Sequence, residues 1–115
     1  MFWRTNFPKT DFKKQWQHIE ELAAIKRDSA LKQALLEADK LLDLGLREKK
    51  VRGNTLGERL KESRSLFPED LYQQIWEAHK LRNRLVHENE EILSFQIEKA
   101  LRSFKRALQR LRFLS

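Results

Sequence analysis

The sequence predicts an all-α protein, an up-and-down bundle of four or five helices, and three observations carry this. Apolar residues recur at three-to-four spacing in successive segments, the period of a helix with one buried face. The 115 residues include only three Gly and two Pro, too few turn formers for the many connections of an all-β fold. Hydrophobic residues make up 40% and charged residues 36% of the chain, a balance that excludes a disordered tail and supports a core. A domain of this size buries roughly two-thirds of its unfolded surface. Residues 11–115 therefore read as one domain, preceded by an arm over residues 1–10. Cysteine is absent, which excludes disulfides and thiolate metal sites and makes a reducing, cytoplasmic compartment the expectation. No apolar run approaches the 18 or so residues of a membrane span. Arg4 and Lys9 interrupt the one apolar N-terminal run, so no secretory signal is expected.

The arm carries Phe2, Trp3 and Phe7 without helical period and is expected to pack on the domain or on a partner. The first helix is expected from about Asp11 to Arg27, with Thr10 as N-cap and Phe12, Trp16 and Ile19 on its buried side. Asp28 and Ser29 are cap-type residues and mark a break, unless the first two helices run on as one. The second helix, about Ala30 to Lys49, places Leu31, Leu35, Ala38 and Leu42 on one stripe. Gly53 offers a left-handed stop after it. Thr55-Leu-Gly-Glu58 fits a capping box, with Glu58 reaching back to the Thr55 amide, and opens a short helix to about Arg64. Pro68, Glu69 and Asp70 are a proline-and-acid helix start for a fourth helix ending near His87 or Glu88. Ser94 is the expected cap of a fifth helix, whose Ile97, Leu101, Phe104, Leu108 and Leu111 repeat at spacings of four and three.

The formal net charge of +7 is uneven. Residues 92–115 hold six basic side chains against one acidic, net +5, whereas residues 65–91 hold three against six, net −3. Such basicity permits a polyanionic partner through counterion release, but Lys and Arg also solvate ordinary helix faces. The sharper signal is on the fourth helix. Its core stripe runs Leu71, Ile75, Ala78, Arg82, Leu85, and the adjoining one runs Tyr72, Trp76, His79, Asn83, then Val86 or His87. An arginine, an asparagine and a histidine thus fall on surface that packing wants buried, where polar groups are costly unless paired. A cleft, a dimer interface or a functional site must accommodate them. The competing structural account lets Arg82 snorkel to solvent and His87 with Asn89 close the helix C-terminus.

Leu81-Arg-Asn-Arg-Leu-Val-His-Glu88 resembles the signature of HEPN domains (higher eukaryotes and prokaryotes nucleotide-binding), an Arg-Asn-x-x-x-His motif on a late helix of a small bundle. The match is Arg82, Asn83 and His87, and the helix order agrees over about residues 11–112. Ala38-Asp39-Lys40-Leu41-Leu42 and Thr55-Leu-Gly-Glu-Arg-Leu60 also look like segments of small bacterial proteins of this type. The resemblance implies a homodimer with two motif copies facing one cleft and a metal-independent endoribonuclease of toxin or defence type, needing no cofactor. Carried over by residue, His87 would take the ribose 2′-OH proton. Arg82 would stabilise the developing phosphorane charge, and Asn83 would orient the imidazole or a phosphate oxygen. Products would be a 2′,3′-cyclic phosphate and a 5′-OH. Lys80, Arg84, Arg102 and Arg106 are the candidate RNA-contacting cations, and an antitoxin-like protein is a candidate partner.

On an ideal helix Arg82 and His87 project about 140° apart, which favours a second subunit. Some toxins of this family carry a modifiable tyrosine two residues after the histidine; here Asn89 stands there, against that regulation. The acidic run Glu88, Glu90 and Glu91 would repel phosphates locally. Other members of the family are catalytically inactive modules for dimerisation or partner binding, the alternative reading here. His18, His79 and His87 show no compact metal-ligand pattern, no Gly-rich phosphate loop occurs, and no nucleophile constellation stands out. A helix-turn-helix is disfavoured by Glu69 and Asp70 at the tip of the would-be recognition helix.

Overall fold

The computed structural model describes residues 9–87 and 90–115. The expected arm over residues 1–10 therefore lies almost wholly outside it, as do Glu88 and Asn89. Among the described residues the protein is all-helical: α1 (Phe12–Ala24), α2 (Asp28–Glu48), α3 (Leu56–Lys61), α4 (Glu69–His87) and α5 (Ser94–Arg110), with a single 3-10 turn (Arg64–Leu66) between α3 and α4. None of these helices is long and apolar enough to cross a membrane.

Helix α2 is the hub, packing against α1, α3, α4 and α5. Its predicted stripe of Leu31, Leu35, Ala38 and Leu42 is fully buried, extended by Ala34, Leu41 and Leu46. The α5 series Ile97, Leu101, Phe104, Leu108 and Leu111 is likewise buried, as the period requires. Polar side-chain contacts report the directions of the helices. Lys105 with Glu20 (3.1 Å) and Lys26 with Glu98 (3.8 Å) set α1 antiparallel to α5. Arg106 to Gln74 (2.8 Å) and Lys99 to Glu77 (4.0 Å) do the same for α4 and α5.

Several expected boundaries shift, each for a local reason. Asp11, not Thr10, caps α1, because its carboxylate accepts from the Lys14 amide at 3.1 Å. The first two helices are separate, but the break covers residues 25–27, with Lys26 left-handed (φ 63°), and Asp28 already begins α2. The left-handed stop of α2 is Lys50 (φ 65°) rather than Gly53, and the Val51 amide donates to the Leu46 carbonyl. Gly53 (φ 145°) serves a different need: a Cβ there would stand 2.9 Å from the Arg59 backbone nitrogen.

In the capping box Thr55 Oγ accepts from the Glu58 amide at 3.1 Å, but Glu58 reaches the Asn54 amide at 3.2 Å instead of that of Thr55. Helix α3 ends at Lys61, short of Arg64. Leu93 occupies the N-cap position of α5 and its amide donates to Gln96 Oε1 at 2.9 Å, so Ser94 is the first helical residue and not the cap. Because α3 is one and a half turns long, its cap matters: Thr55→Ala is expected to cost about 1 kcal/mol, read as a lower urea midpoint at unchanged m-value.

Two contacts fix α4. The Tyr72 hydroxyl donates to the Leu60 carbonyl at 2.8 Å in a buried setting, tying α4 to the end of α3. At its N-terminus Glu69 accepts from Gln73 and from Arg64, which hold its carboxyl below the usual range.

Candidate functional site

Position 82 of α4 is the anomaly, and the helix resolves it by burying Leu81 in the core and leaving Arg82 about one-third exposed. Arg82 lies on the wall of an open groove of about 850 Å³ bounded by α2, α3 and α4. Leu36, Asp39 and Lys40 come from α2, Leu56 and Gly57 from α3, and Trp76, His79 and Asn83 from α4.

Four side chains in this groove form a closed polar ring. The Asp39 carboxylate, only 2% exposed, takes His79 Nδ1 at 2.8 Å. Asn83 Nδ2 stands 3.4 Å from His79 Nε2, and Asn83 Oδ1 accepts from Arg82 Nη1 at 2.8 Å. Arg82 Nε closes the ring 3.3 Å from Asp39 Oδ1, a charge contact without hydrogen-bond alignment, since that nitrogen is buried and otherwise unpartnered. The roles are self-consistent: Nδ1–H of His79 donates to the carboxylate, leaving the Nε2 lone pair to accept from the Asn83 amide. A buried carboxylate is tolerable because the Arg82 charge and the His79 donor compensate it. Arg82 carries five donors in all, so these two contacts leave others for a ligand in the groove.

The other groove carboxylates are also engaged. Asp43 accepts from Arg59 Nη1 at 2.7 Å, and Glu58 caps the α3 entry at the Asn54 amide. Lys40, Lys61 and Lys80, by contrast, are exposed on the groove and form no ion pair among the described residues. Trp76 is half-buried in the same groove, edge-on to Tyr72 and His79, with Lys80 Nζ 6.0 Å from its ring centroid.

The structure thus brings Arg82 and Asn83 together, with Lys80 on the same groove. His87, the last residue of α4, is exposed and does not line it. Arg84 is occupied by Glu90 at 2.8 Å, and Arg102 and Arg106 lie on α5, away from the groove. Two groove residues lie outside the Arg-Asn-x-x-x-His motif. His79 falls on the polar stripe of α4, where spacing alone names no partner for it. Asp39, four residues after Leu35 and three before Leu42, is a carboxylate on the apolar stripe of α2, the same kind of anomaly as Arg82. Among the described residues no group of three or more His, Asp or Glu side chains could hold a metal ion.

Comparison with family models, with curated proteins and with solved structures finds no match to this chain. The class defined by fold and site is a small all-α bundle with a polar groove.

Proposed function

We propose that the chain is an HEPN-like, homodimeric RNA-binding protein of the cytoplasm, with Arg82, Asn83 and His87 as a metal-independent endoribonuclease motif. The observation that carries the reading is the Arg82 guanidinium bonded beside the Asn83 amide at an open, lysine-rimmed groove. A forked cation next to an amide suits a phosphodiester. His87 stands one turn beyond Asn83 at the exposed end of α4, where a second subunit can meet it. Val86, Leu93 and Phe95 are 48–65% exposed around the α4–α5 connection, apolar side chains that a second subunit can cover. In the reaction His87 takes the 2′-OH proton and the 2′-oxygen attacks the adjacent phosphorus. The P–O5′ bond breaks, leaving a cyclic phosphate, and O5′ takes a proton from water to become a hydroxyl while His87 returns its proton to solvent. The family resemblance behind this reading adds a toxin or defence role, with an antitoxin-like protein as partner.

A second reading rests on the same ring. Arg82 and Asn83 are bonded to each other and, through Asp39 and His79, lock α2 to α4. That arrangement equally serves a catalytically inactive module for dimerisation or partner binding.

Incubation of purified protein with mixed RNA in EDTA separates the two, with sedimentation run alongside. The nuclease reading expects a dimer and fragments ending in 2′,3′-cyclic phosphate. Intact RNA at micromolar dimer selects the inactive module.

A further inference from the structure

We infer that the α2–α3–α4 groove is a docking site for a single-stranded RNA segment, with one base placed on Trp76 and the flanking phosphates on Lys40 and Lys61. The inference rests on the RNA-binding reading and names where the strand lies. Three independent features converge on it.

The first is the sign of the groove. Its three carboxylates, Asp39, Asp43 and Glu58, are each turned onto a partner within the protein. The ammonium groups of Lys40, Lys61 and Lys80 remain on the rim. The lining holds Lys40, Lys61, Lys80 and Arg82 against three carboxylates, of which only Glu58 is exposed without a cationic partner, and this cationic excess is how a polyphosphate backbone is gathered and its counterions released.

The second feature is the aromatic. Trp76 is half-buried where the core stripe of α4 gives way to the groove, and its closest cation is Lys80. Stacking of a base on an aromatic ring is the sequence-tolerant part of single-strand recognition. A base arriving on this ring displaces Lys80 from it and frees that ammonium for the next phosphate. A duplex cannot make this contact, because its bases are already stacked on one another.

The third feature is the floor. A Cβ on Gly57 would stand 3.6 Å from His79 Nε2, so the glycine leaves this part of the groove open. The Asn83–His79 contact is long at 3.4 Å. An incoming hydroxyl or base edge can exchange for it and find both a donor and an acceptor there. Asp39 holds the imidazole in place for that exchange, so the floor is preorganised.

The test uses the full chain with two fluorescein-labelled 2′-O-methyl probes, which lack the attacking hydroxyl and so are not cut, an octauridylate and a hairpin duplex of equal charge, titrated by anisotropy at several salt concentrations. Wild-type protein is expected to prefer the octauridylate, with affinity falling as salt rises. Trp76→Ala is expected to weaken it roughly tenfold, the usual order for losing one stacked base, while Trp76→Phe retains most of the affinity. Lys40→Glu with Lys61→Glu is expected to flatten the salt dependence. If Trp76→Ala folds and binds as tightly as wild type while Arg102→Glu with Arg106→Glu abolishes binding, the strand lies on α5. The groove assignment then fails, and RNA binding itself survives. Preference for the hairpin also overturns the groove. Failure of wild-type protein to bind either probe removes the RNA reading altogether.

Discussion

Asp39→Ala is expected to destabilise the domain by about 2–4 kcal/mol. Removing one partner of a buried ion pair generally costs about 3–5 kcal/mol, because the remaining group keeps its desolvation penalty without compensation. Here the figure is discounted, since the Arg82 side chain is 32% exposed and can turn to water. His79 cannot: its side chain is 9% exposed, and without Asp39 its Nδ1 donor is left with no acceptor. Equilibrium urea denaturation measures the loss as a shifted midpoint at unchanged m-value. Asp39→Asn separates charge from hydrogen bonding, because its amide oxygen can still accept from His79; it should recover about half the loss. The double variant Asp39→Leu with His79→Leu should approach wild-type stability, as apolar replacement of a buried pair often does, while dismantling the groove floor. A cost below about 0.5 kcal/mol for Asp39→Ala would mean that the ring does not hold α2 to α4.

Most of the fold is readable along the chain, because each helix writes its buried face at its own period. The α5 series and the α2 stripe are buried as spaced, and the thinly marked α1–α2 break exists, displaced by a few residues. What shifts is at the ends, where Asp11 competes with Thr10 and Lys50 with Gly53, choices set by one hydrogen bond or one backbone angle. The site is readable in half. Arg82 breaks the α4 stripe and announces that something polar must meet it. The identity of that partner depends on how α2 and α4 are set against each other, and spacing within one helix carries no such information. Asp39 breaks the α2 stripe in the same way, so two anomalies on two helices could have been paired on charge alone. His87 shows the opposite limit. It shares a predicted face with Asn83, yet at the last turn of α4 that face has run past the groove, and the residue is exposed.

His87→Ala is expected to lower RNA cleavage in EDTA by about 10²–10⁴-fold, the usual contribution of a positioned general base, with no loss of stability. The pairing of these two outcomes is diagnostic. His87 is exposed, and no hydrogen bond holds its side chain among the described residues, whereas a structural role would predict lost stability or a lost dimer in place of a selective loss of cleavage. Arg82 differs, because it belongs to the ring: Arg82→Ala would remove charge stabilisation and disturb Asp39 together. Arg82→Lys is the cleaner variant. It keeps a cation beside Asp39 but replaces the planar fork with a point charge, and should retain most of the stability while losing roughly 10²–10³-fold in kcat. Sedimentation of each variant, alone and mixed, then tests the dimer. If His87 acts across the interface on a phosphate held by the partner's groove, mixing inactive His87→Ala with inactive Arg82→Lys restores part of the activity, because about half of the dimers in an equal mixture are mixed and each mixed dimer carries one intact site. If each motif works within its own chain, the mixture stays inactive. Cleavage by His87→Ala at the wild-type rate would remove this residue from the chemistry.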